Sequence, residues 1–166
     1  MNIVLIEPEI PPNTGNVARL CAATNSTLHL IEPLGFKLDD TQLKRAGMDY
    51  WKYVRWLRWP SWNAFRDSSP SEVRLWFIES KGPKLYTQAR YQRDDYLIFG
   101  RETAGTPSKL LQEYPTRWLR IPMFNPKARS LNLSNCVALV LFEALRQQRF
   151  SGECLPEARQ GAFDAT

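Results

Sequence analysis

The stretch IPMFNPKARSLNLSNCVALVLFEALRQQ, residues 121–148, decides how this chain is read. It is entered from Trp118-Leu119-Arg120-Ile121, an apolar strand end, and Pro122 stops that strand because it offers no ladder donor. A polar loop with Lys127 and Arg129 follows, and Ser130 is the expected N-cap, its hydroxyl accepting from a free N–H of the next turn. The helix predicted over Leu131–Gln148 is apolar on two faces. Leu131, Ala138, Phe142 and Leu145 form one stripe; Leu133, Val137, Val140 and Ala144 form another. A helix apolar on both sides must be covered on both sides. One side can pack on a sheet; the other needs a second partner such as another subunit, with Val140 an expected contact. Asn132, Ser134 and Asn135, in the first turns, either cap the helix start or serve a ligand beside the loop, and the stretch by itself leaves both open.

Working outward, short continuous apolar runs mark buried parallel strands at Asn2–Ile6, Thr27–Ile31, Val73–Ile78, Tyr96–Gly100 and Arg117–Ile121. Between the first two, Glu7–Pro12 is a stiff loop, and Asn13-Thr14-Gly15-Asn16 opens a helix with Val17, Leu20, Cys21 and Thr24 on one face and Arg19 pointing away. Shorter helices are expected from Asp39-Asp40 to Gly47, over Ser61–Ser69, within residues 84–92, and from Pro107-Ser108 to Tyr114. This order predicts a single α/β domain over residues 1–150, a mostly parallel sheet with helices on both faces, followed by a loosely ordered tail over 151–166. Tyr50–Trp59 alternates aromatic and basic residues. It reads either as a stacking and phosphate-binding surface for RNA or as a strand with one packed aromatic face and one solvated basic face.

Several classes are disfavoured. Net charge is +5 with a pI near 9.3, which favours an anionic partner. No apolar run reaches the ~18 residues of a membrane span. Cys21, Cys136 and Cys154 are few and far apart, which fits a reducing cytoplasm and argues against a disulfide framework or a metal site. Both G-x-G-x-x-G and a Walker phosphate loop are missing. His29, the only histidine, lies in an apolar strand and suits a structural role; without a Ser-His-Asp or Cys-His pair, hydrolysis by those routes is disfavoured. Ligands of open α/β sheets gather at the carboxyl ends of strands. Here those ends carry Ile78–Gly82, Gly100–Gly105 and Ile121–Ser130.

Three segments carry a resemblance. Asn13-Thr14-Gly15-Asn16-x-Ala18-Arg19, Phe99-Gly100-x-Glu102-x-x-Gly105, and Ile121-Pro122-Met123 with Arg129-Ser130-Leu131-Asn132-Leu133-Ser134-Asn135 resemble, in this order, the three motifs of SPOUT RNA 2′-O-methyltransferases. The opening IEPEIPPNTGN is most similar to the branch acting on the wobble nucleotide, C34 or U34, of leucine tRNAs. The resemblance implies a C-terminal deep trefoil knot, a cytoplasmic homodimer, S-adenosylmethionine as cofactor, no metal, and a tRNA anticodon stem-loop as partner. It implies cofactor contacts from Ile78, Gly100, Glu102, Gly105, Ile121, Met123, Ser130 and Leu131, with Glu102 tying the loop together. It places Arg19 in catalysis, with Asn13, Ser134 and Asn135 holding Arg19 or the ribose. Arginine is a poor base, so Arg19 is expected to fix a phosphate and polarise the hydroxyl. Methylation of another RNA such as rRNA, and RNA binding without catalysis, are the alternatives.

Overall fold

The computed structural model describes residues 1–37 and 48–154. The helix expected from Asp39-Asp40 to Gly47 and most of the expected tail lie outside the described residues. The strands are β1 (Asn2–Ile6), β2 (Thr27–Ile31), β3 (Arg55–Trp59), β4 (Leu75–Ile78), β5 (Lys84–Leu85), β6 (Tyr96–Phe99) and β7 (Trp118–Arg120). The α-helices among the described residues are α1 (Pro11–Ala23), α2 (Trp62–Ser68), α3 (Ser108–Glu113) and α4 (Leu133–Gln147). All strand pairs are parallel, in the order β3-β2-β1-β6-β4-β7-β5.

A parallel sheet must be covered on both faces, and alternation along each strand supplies both cores. Ile3, Leu5, Leu28, Leu30, Leu97 and Phe99 meet Val17, Ala18 and Cys21 of α1 and Val137, Val140 and Leu141 of α4. Val4, Ile6, Ile31, Phe77 and Ile98 meet Phe65 of α2 and Leu110 and Leu111 of α3. Of the two stripes read on α4, the Leu133–Val137–Val140–Ala144 stripe is the buried one. Val140 is therefore a core residue of its own chain, not a contact left for a second subunit. The outward residues are Leu139 and Phe142, 41% and 48% exposed.

Other departures have local causes. The helix after residue 130 begins two residues later than expected: Asn132 is extended (φ −56, ψ 140) and its side chain accepts from the Ser134 N–H, so Asn132, not Ser130, is the N-cap. Residues 84–92 form the short β5 and a 3-10 turn at Tyr86–Gln88, where Gln88 accepts from the Leu85 N–H. In the Tyr50–Trp59 stretch, a 3-10 segment runs to Tyr53 before β3 begins. The tryptophans of β3 do not share a face: Trp56 packs with the α1 layer and Trp59 with the α2 layer. An edge strand between two helical layers has no wholly solvated face.

One crossing positions the site. β7 lies between β4 and β5, which are joined only by residues 79–83. That connection steps across β7 at Gly82, where a Cβ would lie 2.5 Å from the Leu119 carbonyl carbon. Glycine is required by this close approach. Arg120 fixes the crossing by donating to the Gly82 and Pro83 carbonyls (3.0 and 2.8 Å).

Candidate active site

The carboxyl ends of β4, β6 and β7 open into a cavity of about 690 Å³, a volume suited to a small-molecule cofactor. Its walls are apolar where the strands end, at Ile78, Phe99 and Ile121. They become polar along the loops at Glu79, Glu102 and Asn132.

The loop after β6 folds back on itself. Arg101 and Gly105 exchange backbone hydrogen bonds of 3.1 and 2.9 Å, and Gly105 has φ +68, a left-handed conformation that favours glycine. A Cβ at Gly100 would overlap the backbone of Gly105 and Thr106. The need for glycine at residue 100 therefore arises inside the loop itself rather than from a ligand. Glu79 braces the same loop: its carboxylate accepts from the Thr106 N–H at 2.8 Å and lies 2.9 Å from where a Gly105 Cβ would be.

Carboxylates tie this loop to the start of α1. Glu102 accepts from the N–H groups of Glu9 (2.8 Å) and Ile10 (3.3 Å) and from Asn13 Nδ2 (3.1 Å). A helix start suits an anion, because its first N–H groups lack intrahelical partners; α1 has Ile10 as N-cap, which has no capping side chain of its own. Glu9 returns the contact by accepting from the Thr103 N–H and hydroxyl (3.0 and 2.9 Å), and Glu7 pairs with Arg101. Asn13, 5% exposed, accepts at Oδ1 from Asn132 Nδ2 (2.9 Å). Glu102, Asn13 and Asn132 thus link the three sequence segments singled out above through side chains alone.

Ile78, Gly100, Glu102, Gly105, Ile121, Met123, Ser130 and Leu131 all line the cavity, as does Asn13. Arg19, Ser134 and Asn135 do not. Arg19 is exposed on α1, about 9 Å along the helix from Asn13 at 1.5 Å per residue. Ser134 is half-buried and donates from its hydroxyl to Asn132 Oδ1 (2.7 Å); Asn135 is exposed. Asn132, read as either a cap or a ligand residue, both caps α4 and lines the cavity; lining residues not picked out as ligands include Glu79, Ser80, Thr103 and Cys136. Glu79 and Ser80 follow β4 directly, so the carboxyl-end rule contained them. Cys136 lies four residues, one helical turn, after Asn132 and shares its face. Burial raises the Cys136 thiol to about 11, so it is a wall rather than a nucleophile at neutral pH.

His29 stands elsewhere, on the sheet face under α2. Its Nδ1 accepts from Trp59 Nε1 at 3.1 Å, and its ring lies among Trp59, Phe65 and Tyr96. Burial, and then Arg55, lower its pKa to about 4. It is a neutral structural histidine. Among the described residues no group of three His, Cys, Asp or Glu could hold a metal, and no helix is long and apolar enough to cross a membrane.

The fold that builds this cavity is similar to that of known proteins. Residues 1–142 match the SpoU rRNA methylase family, and the chain belongs to that family. A relative in Saccharophagus degradans, tRNA (cytidine(34)-2′-O)-methyltransferase, is 50% identical over 91% of this chain and 97% of its own length. A solved structure concerned with the 2-OH methylation of C/U34 on tRNA superposes with a TM-score of 0.85 at 43% identity, covering 90% of this chain and 96% of that one. An AdoMet-bound rRNA methyltransferase from Sinorhizobium meliloti gives a TM-score of 0.74 at 25% identity, over 87% of this chain and 55% of that one.

Proposed function

We propose that this chain methylates the 2′-oxygen of nucleotide 34, cytidine or uridine, in tRNA, leucine tRNAs being the expected substrates, with S-adenosylmethionine as donor. The observation that carries the reading is the cavity itself, found in a chain 50% identical over nearly its full length to a tRNA (cytidine(34)-2′-O)-methyltransferase. The lining fits such a donor. Apolar walls at Ile78, Phe99 and Ile121 suit an adenine, and loop backbone at Gly100–Gly105 can read its edges. Glu79 and Asn132 can meet the polar amino-acid end. When bound, the donor supplies a methyl carbon activated by a sulfonium.

The protein's part is placement. In-line attack by a ribose oxygen needs donor and acceptor held within a narrow geometry, which supplies much of the rate. Met123, Ser130 and Leu131 form the side of the cavity on which the ribose would arrive. Asn13 has both ends of its amide committed, to Glu102 and Asn132, so we assign it to holding that side in place. Ser134, whose hydroxyl donates to Asn132, and its neighbour Asn135 lie outside the lining, and we assign them to holding Arg19 or the ribose at this site or at that of a second copy. Arg19, some 9 Å beyond Asn13 along α1, serves a phosphate and the attacking hydroxyl at this cavity or at that of a second copy. A homodimer is supported by the uncovered Leu139 and Phe142 on α4, and sedimentation of the purified chain tests it. Insertion of β7 between β4 and β5 across so short a connection supports a knotted C-terminal segment in one domain over residues 1–150. A tRNA substrate supports a cytoplasmic location.

The deciding experiment is methyl transfer from labelled S-adenosylmethionine to total tRNA, followed by nucleoside mapping. Label at the 2′-oxygen of nucleotide 34 is expected. Label only in rRNA, or saturable RNA binding with no transfer, overturns the reading.

A further inference from the structure

Residues 122–130 are all exposed, and among them Phe124 is 95% exposed, the most exposed large apolar side chain described. Among the described residues nothing covers it. Its loop is nevertheless held in shape: Asn125 Oδ1 accepts from the Lys127 N–H (2.9 Å), and Asn125 O accepts from the Ala128 N–H (3.1 Å). Pro126 sits inside this turn and Pro122 restricts the backbone before it. The loop carries Lys127 and Arg129 and no acidic residue. It is also the rim of the cavity, since Met123 and Arg129 line it. On the inner wall Arg101 is paired with Glu7, beside Glu79 and Glu102, while the rim loop carries Arg129 and Lys127 with no acidic residue beside them in the loop. A polyanion entering here meets the cations first.

We propose that Phe124 is a stacking platform for a nucleobase of the substrate RNA next to the nucleotide being methylated, with Lys127 on the adjoining phosphate. This rests on the RNA 2′-O-methyltransferase reading and adds a specific contact to it. A flat ring fully open to solvent, on a stiff turn flanked by cations, combines the two elements that hold single-stranded RNA: base–aromatic stacking and phosphate neutralisation. Leu139 and Phe142 offer a second copy a different surface, on α4, so the rim ring is left for the substrate.

The test uses the full chain and an anticodon stem-loop RNA, with RNA affinity, steady-state methyl transfer, S-adenosylmethionine affinity and sedimentation all measured. Because the ring is 95% exposed among the described residues, Phe124→Ala should melt as the wild type does. We expect RNA Kd and KM to rise about tenfold, with cofactor affinity and oligomeric state unchanged, and Phe124→Trp to restore RNA affinity. Lys127→Ala should lower the salt slope of RNA binding by about one. Unchanged RNA Kd in Phe124→Ala overturns the proposal. So does weakened cofactor binding alone, which would make the loop a lid, or a shift to monomer, which would make Phe124 an interface residue. Failure of the wild type to methylate any RNA counts against the enzyme reading, and the RNA Kd still judges Phe124 by itself.

Discussion

The two ends of the parallel sheet are built on opposite rules. At the amino ends, a small recess of about 190 Å³ is lined by Asn2, His29, Arg55, Trp59 and Tyr96, among others, and its histidine is bonded on both ring nitrogens. His29 accepts from Trp59 and faces Asn2 Oδ1 at 3.4 Å. At the carboxyl ends the cavity is over three times larger. Glu102 is spent on bracing loops and Glu79 braces through one oxygen, which leaves backbone, apolar wall and the other Glu79 oxygen for a ligand. Titratable side chains packed against each other make a closed, structural recess. Loops held open from behind make a receptive one. A lone histidine attracts attention in a sequence, but here the chemistry belongs to the end without it.

The largest effect should come from removing the space inside the loop after β6. Gly100→Ala places a methyl group on the Gly105–Thr106 backbone, so the loop must unfold or move. We expect S-adenosylmethionine binding by calorimetry to be lost and the melting temperature to fall. A variant that binds the cofactor as tightly as the wild type would show that the loop yields, and the contrast between the two ends would weaken.

The amino end should instead respond to acid. His29 has its pKa lowered to about 4 from an ordinary 6.5, so below 6.5 the unfolded chain binds a proton that the folded chain resists. The stabilisation is complete above pH 6.5, is lost as pH falls towards 4, and amounts to about 3 kcal/mol at 1.36 kcal/mol per unit. Protonation would also turn an N–H towards the Trp59 N–H. Urea melts between pH 7 and 4 should show this slope in the wild type and much less of it in His29→Gln, whose amide stays neutral. Equal slopes would mean that other groups carry the acid sensitivity.

Arg19 tests whether the receptive end extends beyond its own cavity. It lies outside the lining, so Arg19→Ala should leave cofactor affinity nearly intact while methyl transfer falls about 100-fold, or about 2.7 kcal/mol. Arg19→Lys should recover little, since a point charge does not reproduce a planar fork. Weaker cofactor binding in Arg19→Ala would give the residue a structural role instead.

How much of this was legible in the sequence depended on the range of the interaction. Apolar runs such as Asn2–Ile6 and Tyr96–Phe99 announce buried strands, because burial on both faces leaves no alternation, and all five anticipated runs fall on observed strands. The carboxyl-end rule pointed to the three loops that line the cavity. Residue 84 onward misled because the turn there is fixed by Gln88 reaching back to Leu85 and by pairing of β5 with residues 35 positions away in β7. The basic–aromatic alternation of β3 misled because the second helical layer over an edge strand is a tertiary fact. Glu102 could be named from a resemblance, but its three donors from residues 9, 10 and 13 could not be read from spacing.

The smallest expected effect separates two neighbouring polar residues at the start of α4. Ser130 is exposed and forms part of the cavity rim; Asn132 caps the helix and also holds Asn13. Ser130→Ala should change folding stability by less than about 0.5 kcal/mol, as for an exposed surface site. Asn132→Ala removes the cap, worth typically about 1 kcal/mol, and leaves buried Asn13 Oδ1 without its Asn132 donor, for a total of about 1–2 kcal/mol. Asn132→Asp divides that sum. Its carboxylate still accepts from the Ser134 N–H and suits the helix N-terminus, but it has no N–H for Asn13 and brings a second negative charge towards Glu102. Stability in Asn132→Asp should therefore fall between the wild type and Asn132→Ala in urea melts. If Asn132→Ala melts like Ser130→Ala, neither the cap nor the bridge to Asn13 contributes to stability, and the carboxyl-end loops are held by their other braces, among them Glu102, Glu79, Glu9 and Glu7.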